Sequence, residues 1–194
     1  MLLALDIGFR STGFVVFNPF SENILNFGVI VTDKQSGKRG SRLRVSDDDF
    51  IRCQRMTKEL CAVIATARIT GVVAEIPTGG ARGARPNRCM GLSTGLLAGI
   101  VEALSIPTEV FTPGEIKKAA TGQRNGSKEA VIAAMTKRFP ALLKFERKSL
   151  MEHLADAAAV ILAAEDGILY KSIQRSVGER VRRDTFRFNR QTGE

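Results

Sequence analysis

Three acidic side chains in this chain stand where an ionised group is out of place. Asp6 closes the apolar run MLLAL and is followed by Ile7-Gly8. Glu75 follows the run Val72-Val73-Ala74, and Asp156 interrupts the Ala-rich stretch HLADAAAVILAA. A carboxylate in such a context is costly to bury unless it is paired or bound to a cation. Each acid alone would read as an ordinary strand end or helix-surface group in water. Together they say more, because strand ends of one sheet can converge and a helix crossing that end adds a third donor. Clustered carboxylates repel, and a divalent cation relieves the repulsion. His153, three residues before Asp156, shares its helix face and can join the cluster. Glu152, four before Asp156, faces the same way, so spacing alone does not exclude it.

The elements needed to hold these groups are legible. Residues 1–6, 13–19 and 25–32 are short runs rich in Leu, Val, Phe and Ile, separated by turn residues such as Pro19, Ser21 and Asn23. They predict an antiparallel meander. A basic loop follows over 34–45. Ser46, with Asp47, Asp48 and Asp49 behind it, predicts a helix N-terminus; that helix continues to about Ala67, with Phe50, Ile51, Met56, Leu60, Val63 and Ile64 at helical spacing. Residues 70–76 predict a fourth strand, 77–89 a Gly/Pro/Arg loop, 91–104 a helix of small residues and 107–111 a fifth strand. Thr112-Pro113 opens another helix, residues 121–127 break it, and 127–138 and 149–165 are helical. A meander followed by alternating helices and strands predicts a mixed sheet with helices on its faces. The expected organisation is one domain over 1–166 and a basic extension over 167–194.

Composition narrows the partners. The chain has 194 residues, with 29 Lys and Arg against 20 Asp and Glu, a net charge of +9. That surplus points to a polyanion, nucleic acid before membrane. There is no Trp, and the basic residues are scattered over loops rather than set on one amphipathic helix. No apolar run reaches the ~18 residues of a membrane span, and the start lacks the basic lead of a signal peptide; a cytoplasmic protein is expected. The three cysteines lack C-x-x-C spacing and the only histidine is His153, which excludes disulfide frameworks and His-pair zinc sites. No G-x-x-x-x-G-K-[ST] motif is present, so no nucleotide cofactor is expected.

LLALDIGFRSTGFVVF resembles the opening of the RuvC-type Holliday-junction resolvases, whose first strand carries a catalytic Asp followed by a Gly and then Thr-Gly. VVAEI is similar to that family's second catalytic strand, TPGEIKKAATGQRNGSKEAV to its basic helix–loop–helix segment, and HLADAAAVILAA to its last catalytic helix. The resemblance runs in order from residue 1 to about residue 165. It implies an α/β, RNase H-like fold: a mixed five-stranded sheet, meander first and parallel strands after, with helices on both faces. It assigns Asp6, Glu75, His153 and Asp156 to the catalytic metal site, and Thr12, Lys117 and Lys128 to DNA contact.

The activity implied is a crossover junction endodeoxyribonuclease, serving DNA recombination and repair. It would nick four-way junctions symmetrically as a homodimer and leave 5′-phosphate and 3′-hydroxyl ends. Two Mg²⁺ ions ~3.5–4 Å apart would supply the hydroxide and relieve charge on the leaving oxygen. Asp6 would bridge them, Glu75 would hold one, and Asp156 with His153 the other. Mn²⁺, which accepts imidazole more readily, is expected to substitute. In place of the family's aromatic wedge after the catalytic Glu, the chain carries Pro77-Thr78-Gly79-Gly80 and then Arg82, Arg85 and Arg88, which suit phosphates. That departure suggests a divergent phage or mobile-element member, intracellular or nucleoid-associated. The alternatives are a nuclease for other branched DNA, such as forks and flaps, and a non-catalytic junction-binding protein. DIGFRSTG also resembles the first phosphate loop of the actin and sugar-kinase ATPases, but no second Asp-x-Gly-Gly loop follows.

Overall fold

A computed structural model describes residues 1–34, 43–77, 79 and 82–176. Most of the expected basic loop and the arginine-rich end, from Arg180 to Arg190, lie outside the described residues. Five strands form one sheet: β1 (Leu2–Asp6), β2 (Ser11–Asn18), β3 (Asn23–Val31), β4 (Gly71–Glu75) and β5 (Thr108–Phe111), in the order β3-β2-β1-β4-β5. The first three pair antiparallel, whereas β4 joins β1 and β5 joins β4 in parallel. The expected meander followed by parallel strands is therefore what forms.

Strand side chains alternate between faces, and the sheet uses the alternation to build two cores. Leu2, Ala4, Val15, Phe17 and Val73 face one core, and Leu3, Leu5, Val16, Val72 and Ala74 the other. The second core is closed by α1 (Val45–Ala67) and α2 (Ala84–Ala103), through Met56, Leu60, Leu97 and Ile100. The first is closed by α5 (Met151–Ala164), with α3 (Pro113–Thr121) and α4 (Lys128–Arg138) packed over it. Ala155, Ala157, Ala158 and Ala159 are all fully buried, so α5 is enclosed on nearly every side. Alanines allow that, because neighbouring elements can approach the helix backbone closely.

Three boundaries differ from the sequence expectation. Helix α2 begins at Ala84, seven residues before the expected start at 91, so Arg85 and Arg88 are helical rather than loop residues. Pro86 and Gly83 read as breakers in sequence. A proline in the first turn, however, loses no intrahelical hydrogen bond, and Gly83 enters the helix at φ 104°. Helix α1 is preceded by Arg44, not capped by Ser46, and Arg44 Nε reaches Asp47 Oδ2 at 2.8 Å. Phe50, expected on the core face, is 64% exposed. Beyond α5, residues 168–176 are helical and Tyr170 is 3% exposed against Phe17, so the packed body extends past residue 166. The start of α3 is as read: the Thr112 hydroxyl accepts from the Glu115 N–H, and Glu115 accepts from the Thr112 N–H at 2.8 Å. No helix among the described residues is long and apolar enough to cross a membrane.

Candidate active site

The central row of the sheet positions the acids. Asp6 ends β1 and is in register with Glu75, which ends β4, on one side and with Gly13 of β2 on the other. By strand parity all three share the face of Leu2, Ala4 and Val73, the face that α5 covers. Two carboxylates thus emerge side by side at the end of two parallel strands. Helix α5 crosses above them and supplies His153 and Asp156.

His153 is fixed by Asp6: its Nδ1 lies 2.9 Å from Asp6 Oδ2. That hydrogen bond, helped by the nearby carboxylates and opposed by burial, raises the imidazole above its ordinary pKa of 6.5. Glu75 is pushed up to about 7, first by burial and then by the charges of Asp6 and Asp156, with Lys117 opposing. Asp156 is pushed up to about 6 by burial and by Asp6, against His153 and Lys128. Acids that raise one another's pKa are clustered acids.

Whether this set fits a cation can be judged from its charges. Among the described residues no three His, Cys, Asp or Glu side chains stand closed around one point, and Asp6 is engaged with His153. The donors nevertheless fit a divalent ion chemically. Burial first, and the neighbouring negative charges after it, make Glu75 and Asp156 hold their protons, and carboxylate oxygens are the ligands hard cations take.

The flanking cations divide into two groups. Lys117 on α3 is close enough to lower the Glu75 pKa, and Lys128, the first residue of α4, bonds Glu152 Oε2 at 2.6 Å and acts on Asp156. Both stand beside the acids. Glu152 is drawn to Lys128 and is 3.8 Å from His153 Nε2, at the edge of the cluster. Arg85 and Arg88 instead both engage Asp49 of α1, Arg85 with both guanidinium ends and Arg88 through Nε at 3.2 Å. Asp49 is 2% exposed. Both arginines, expected to suit phosphates, serve here as counter-ions of a buried carboxylate. Arg82 lies exposed before α2.

Thr12 requires a correction. It is fully buried, and its hydroxyl donates to the Gly8 carbonyl at 2.9 Å. A side chain so enclosed braces the turn after Asp6 and cannot reach a DNA strand. Gly8 belongs to the same turn, where a Cβ would fall 2.4 Å from the Ser11 carbonyl oxygen. A tight turn therefore accounts for this glycine.

Two contributors were missed in sequence. Gly13 admits α5, since a Cβ there would lie 2.5 Å from the His153 carbonyl carbon. The Thr-Gly pair after the first strand carried that signal. Arg52 was read only as part of a helix. It is buried, donates to the Phe9 carbonyl at 3.3 Å, and lies 4.2 Å over the Phe9 ring, so it grips the turn following Asp6 from α1.

No protein-family model matches the chain. A curated relative, the crossover junction endodeoxyribonuclease RuvC of Salinibacter ruber, is 26% identical over 180 residues, covering 88% of this chain and 90% of the relative. Among solved structures, Thermus thermophilus RuvC in complex with a Holliday junction substrate superposes with a TM-score of 0.63 at 20% identity, over 84% of this chain and 90% of that one. The yeast mitochondrial Holliday junction resolvase Ydc2 superposes with a TM-score of 0.54 at 13% identity, over 89% of this chain and 83% of that one. These superpositions concern the fold, and they agree with the RNase H-like sheet order described above. The chain is thus similar to RuvC in sequence along most of its length, and shares its fold.

Proposed function

We propose that the chain is a metal-dependent endodeoxyribonuclease that resolves four-way DNA junctions by paired symmetric nicks. The observation that carries this reading is the row formed by Asp6 and Glu75 in register, crossed by a helix that brings His153 onto Asp6 and Asp156 beside both. A protein that only bound DNA would gain nothing from carboxylates gathered where phosphates must approach. The net charge of +9 supplies the attraction these acids oppose.

In this reading Asp6 would be shared between two divalent ions, Glu75 would hold one, and Asp156 with His153 the other. Bound there, Mg²⁺ or Mn²⁺ would supply a hydroxide at neutral pH and relieve charge on the leaving oxygen. The protein's own share is orientation. His153 fixes the rotamer of Asp6, while the Thr12 and Arg52 braces fix the turn that follows it. Lys117 and Lys128 flank the acids and would hold the phosphates of the cut strand.

A junction has two-fold symmetry, so paired nicks call for a two-fold dimer. Gly91, Gly95 and Gly99 form one ridge of α2 with nothing within 4 Å, while Leu97 and Ile100 of the same helix face the core. That open ridge is the surface we assign to the second copy.

The test is cleavage of labelled four-way junction, fork, flap and linear duplex, with Mg²⁺ or EDTA, by wild type and Asp6→Asn. Paired nicks in the junction, lost in EDTA and in the variant, are expected. Equal cutting of forks and flaps would replace junction resolution with a broader branch nuclease, and binding without cutting in any metal would overturn catalysis.

A further inference from the structure

The two edges of the sheet are not alike. Strand β5 is four residues long and carries Glu109, whose carboxylate accepts from the N–H groups of Ile168 and Leu169 at 3.2 and 3.0 Å. Strand β3, at the other edge, is nine residues long and reads NILNFGVIV, without a charge or a proline. An edge of that length and composition is a template for a further strand, and folded proteins cover or charge such edges. Along it Ile24, Phe27 and Val29 lean on the core that α5 closes yet are only half-buried, and Leu25 is 54% exposed. The Phe27 N–H donates to the side chain of its neighbour Asn26 at 2.8 Å.

The chain itself is carried toward this edge. After α5, the helix over 168–176 crosses the sheet at the end away from the acids. It starts at Glu109 of β5, passes Gly71 of β4 through Leu169 and Ile173, and stacks Tyr170 on Phe17 of β2. Near its end the Gln174 side chain donates to the Pro19 carbonyl at 3.2 Å, in the turn that leads into β3. The remaining residues, 177–194, lie outside the described residues. They therefore depart from the place where the β3 edge begins.

Their sequence has a strand period. In Asp184-Thr185-Phe186-Arg187-Phe188-Asn189-Arg190 the two phenylalanines alternate with polar residues, the pattern of a half-buried strand. The seven residues before it, 177–183, could span at most ~25 Å when extended. That suffices to round the β2–β3 turn and start a strand beside Asn23, but not to climb the ~30 Å of β3 and return.

We propose that residues 184–190 add to the free edge of β3 in the same chain as a sixth strand, parallel to β3, with Phe186 and Phe188 covering Phe27 and Val29. The direction has a consequence for charge. Val29 is in register with Gly13, and Gly13 with Asp6, so β3 runs toward the row of acids. A strand parallel to it takes Arg187 and Arg190 the same way.

Hydrogen exchange of the full chain without DNA reads the edge. Peptides spanning 23–31 and 184–190 should exchange about tenfold faster in Phe186→Asp/Phe188→Asp than in wild type, while peptides spanning 2–6 stay unchanged. Equal exchange in the two proteins would overturn the sixth strand. Protection that appears only when duplex DNA is added would overturn it too, and would make the segment a DNA arm. The second measurement puts the photoreactive p-benzoylphenylalanine in place of Phe188, which on illumination bonds to C–H groups it touches. A cross-link to residues 23–31 or to Phe145, which packs on Phe27, is expected in a band of monomer size. A band of dimer size would give the edge to the end of a second copy, and cross-links confined to other residues would leave it uncovered; either result overturns the assignment.

Discussion

The carbonyl oxygen of His153 sits over Gly13 so closely that a Cβ at position 13 would come within 1.9 Å of it. Backbone meets backbone at that point. The contact sets how deep α5 lies on the sheet, and so sets the height of His153 and Asp156 above Asp6. Gly13→Ala is expected to lift the helix. Overpacking of this kind costs ~1–3 kcal/mol, and thermal unfolding should show a clear fall in Tm. Cleavage should fall by far more than the loss of folded protein explains. Gly114→Ala, where nothing lies within 4 Å, should be neutral or slightly stabilising and serves as the control. Equal Tm values for the two variants would refute the contact.

Metal-free stability should depend on pH in a defined direction. Glu75 is raised from 4.5 to about 7 and Asp156 from 3.8 to about 6, so the folded state keeps protons that the unfolded chain releases. Their contribution is complete below about pH 4 and is lost as pH rises through 6 to 7. His153, also raised, adds to it with the same sign. Glu75→Gln mimics the protonated side chain. In EDTA its Tm should match wild type near pH 4.5 and exceed it at pH 8. A constant difference across that range would mean that neither burial nor its acidic neighbours raise Glu75.

Divalent ions should reverse that loss. At pH 8, Mg²⁺ in large excess should raise the Tm of wild type, because a ligand that binds only the folded state stabilises it. The increment should shrink in Glu75→Gln and in Asp156→Asn, and should be absent in the double variant. Calorimetry of Mn²⁺ binding offers the second measurement, with weaker binding expected when His153 is replaced by Gln.

The basic residues should separate in salt titrations of DNA binding. Lys117→Ala should reduce the slope of log Kd against log salt by about one, as the loss of one phosphate contact does. Arg88→Ala should change it little, since that guanidinium already serves Asp49. A slope change as large for Arg88 as for Lys117 would show that DNA displaces the Asp49 pairing.

The acids were legible because they break apolar patterns: Asp6 at the end of a strand, Glu75 likewise, and Asp156 among alanines. The mixed sheet, antiparallel first and parallel after, could be inferred because a meander followed by alternating helices has few arrangements. Partner choice was not legible. Arg85 and Arg88 read as loop cations because Gly83 and Pro86 disguise the start of a helix, and nothing local marks Asp49, far away in sequence, as their counter-ion. Thr12 stood as a DNA contact through the resemblance alone; only the packing against Met56 reveals that it is enclosed. Gly13 was visible as a residue but not as a contact, since its meaning lies in a helix more than a hundred residues on.

That separation bears on how the protein matures. The Asp6–His153 bond closes a loop of 147 residues, and Asp156 lies further along still. During synthesis, Asp6 and Glu75 can pair as soon as β4 adds to β1, long before any group on α5 exists. A nascent chain therefore carries two of its acids early and, on the nuclease reading, an incomplete site. Competence arrives in one late step, when α5 seats in the slot left by Gly13. On the nuclease reading, any later event that unseats α5 alone would silence cleavage while leaving the antiparallel half of the sheet paired.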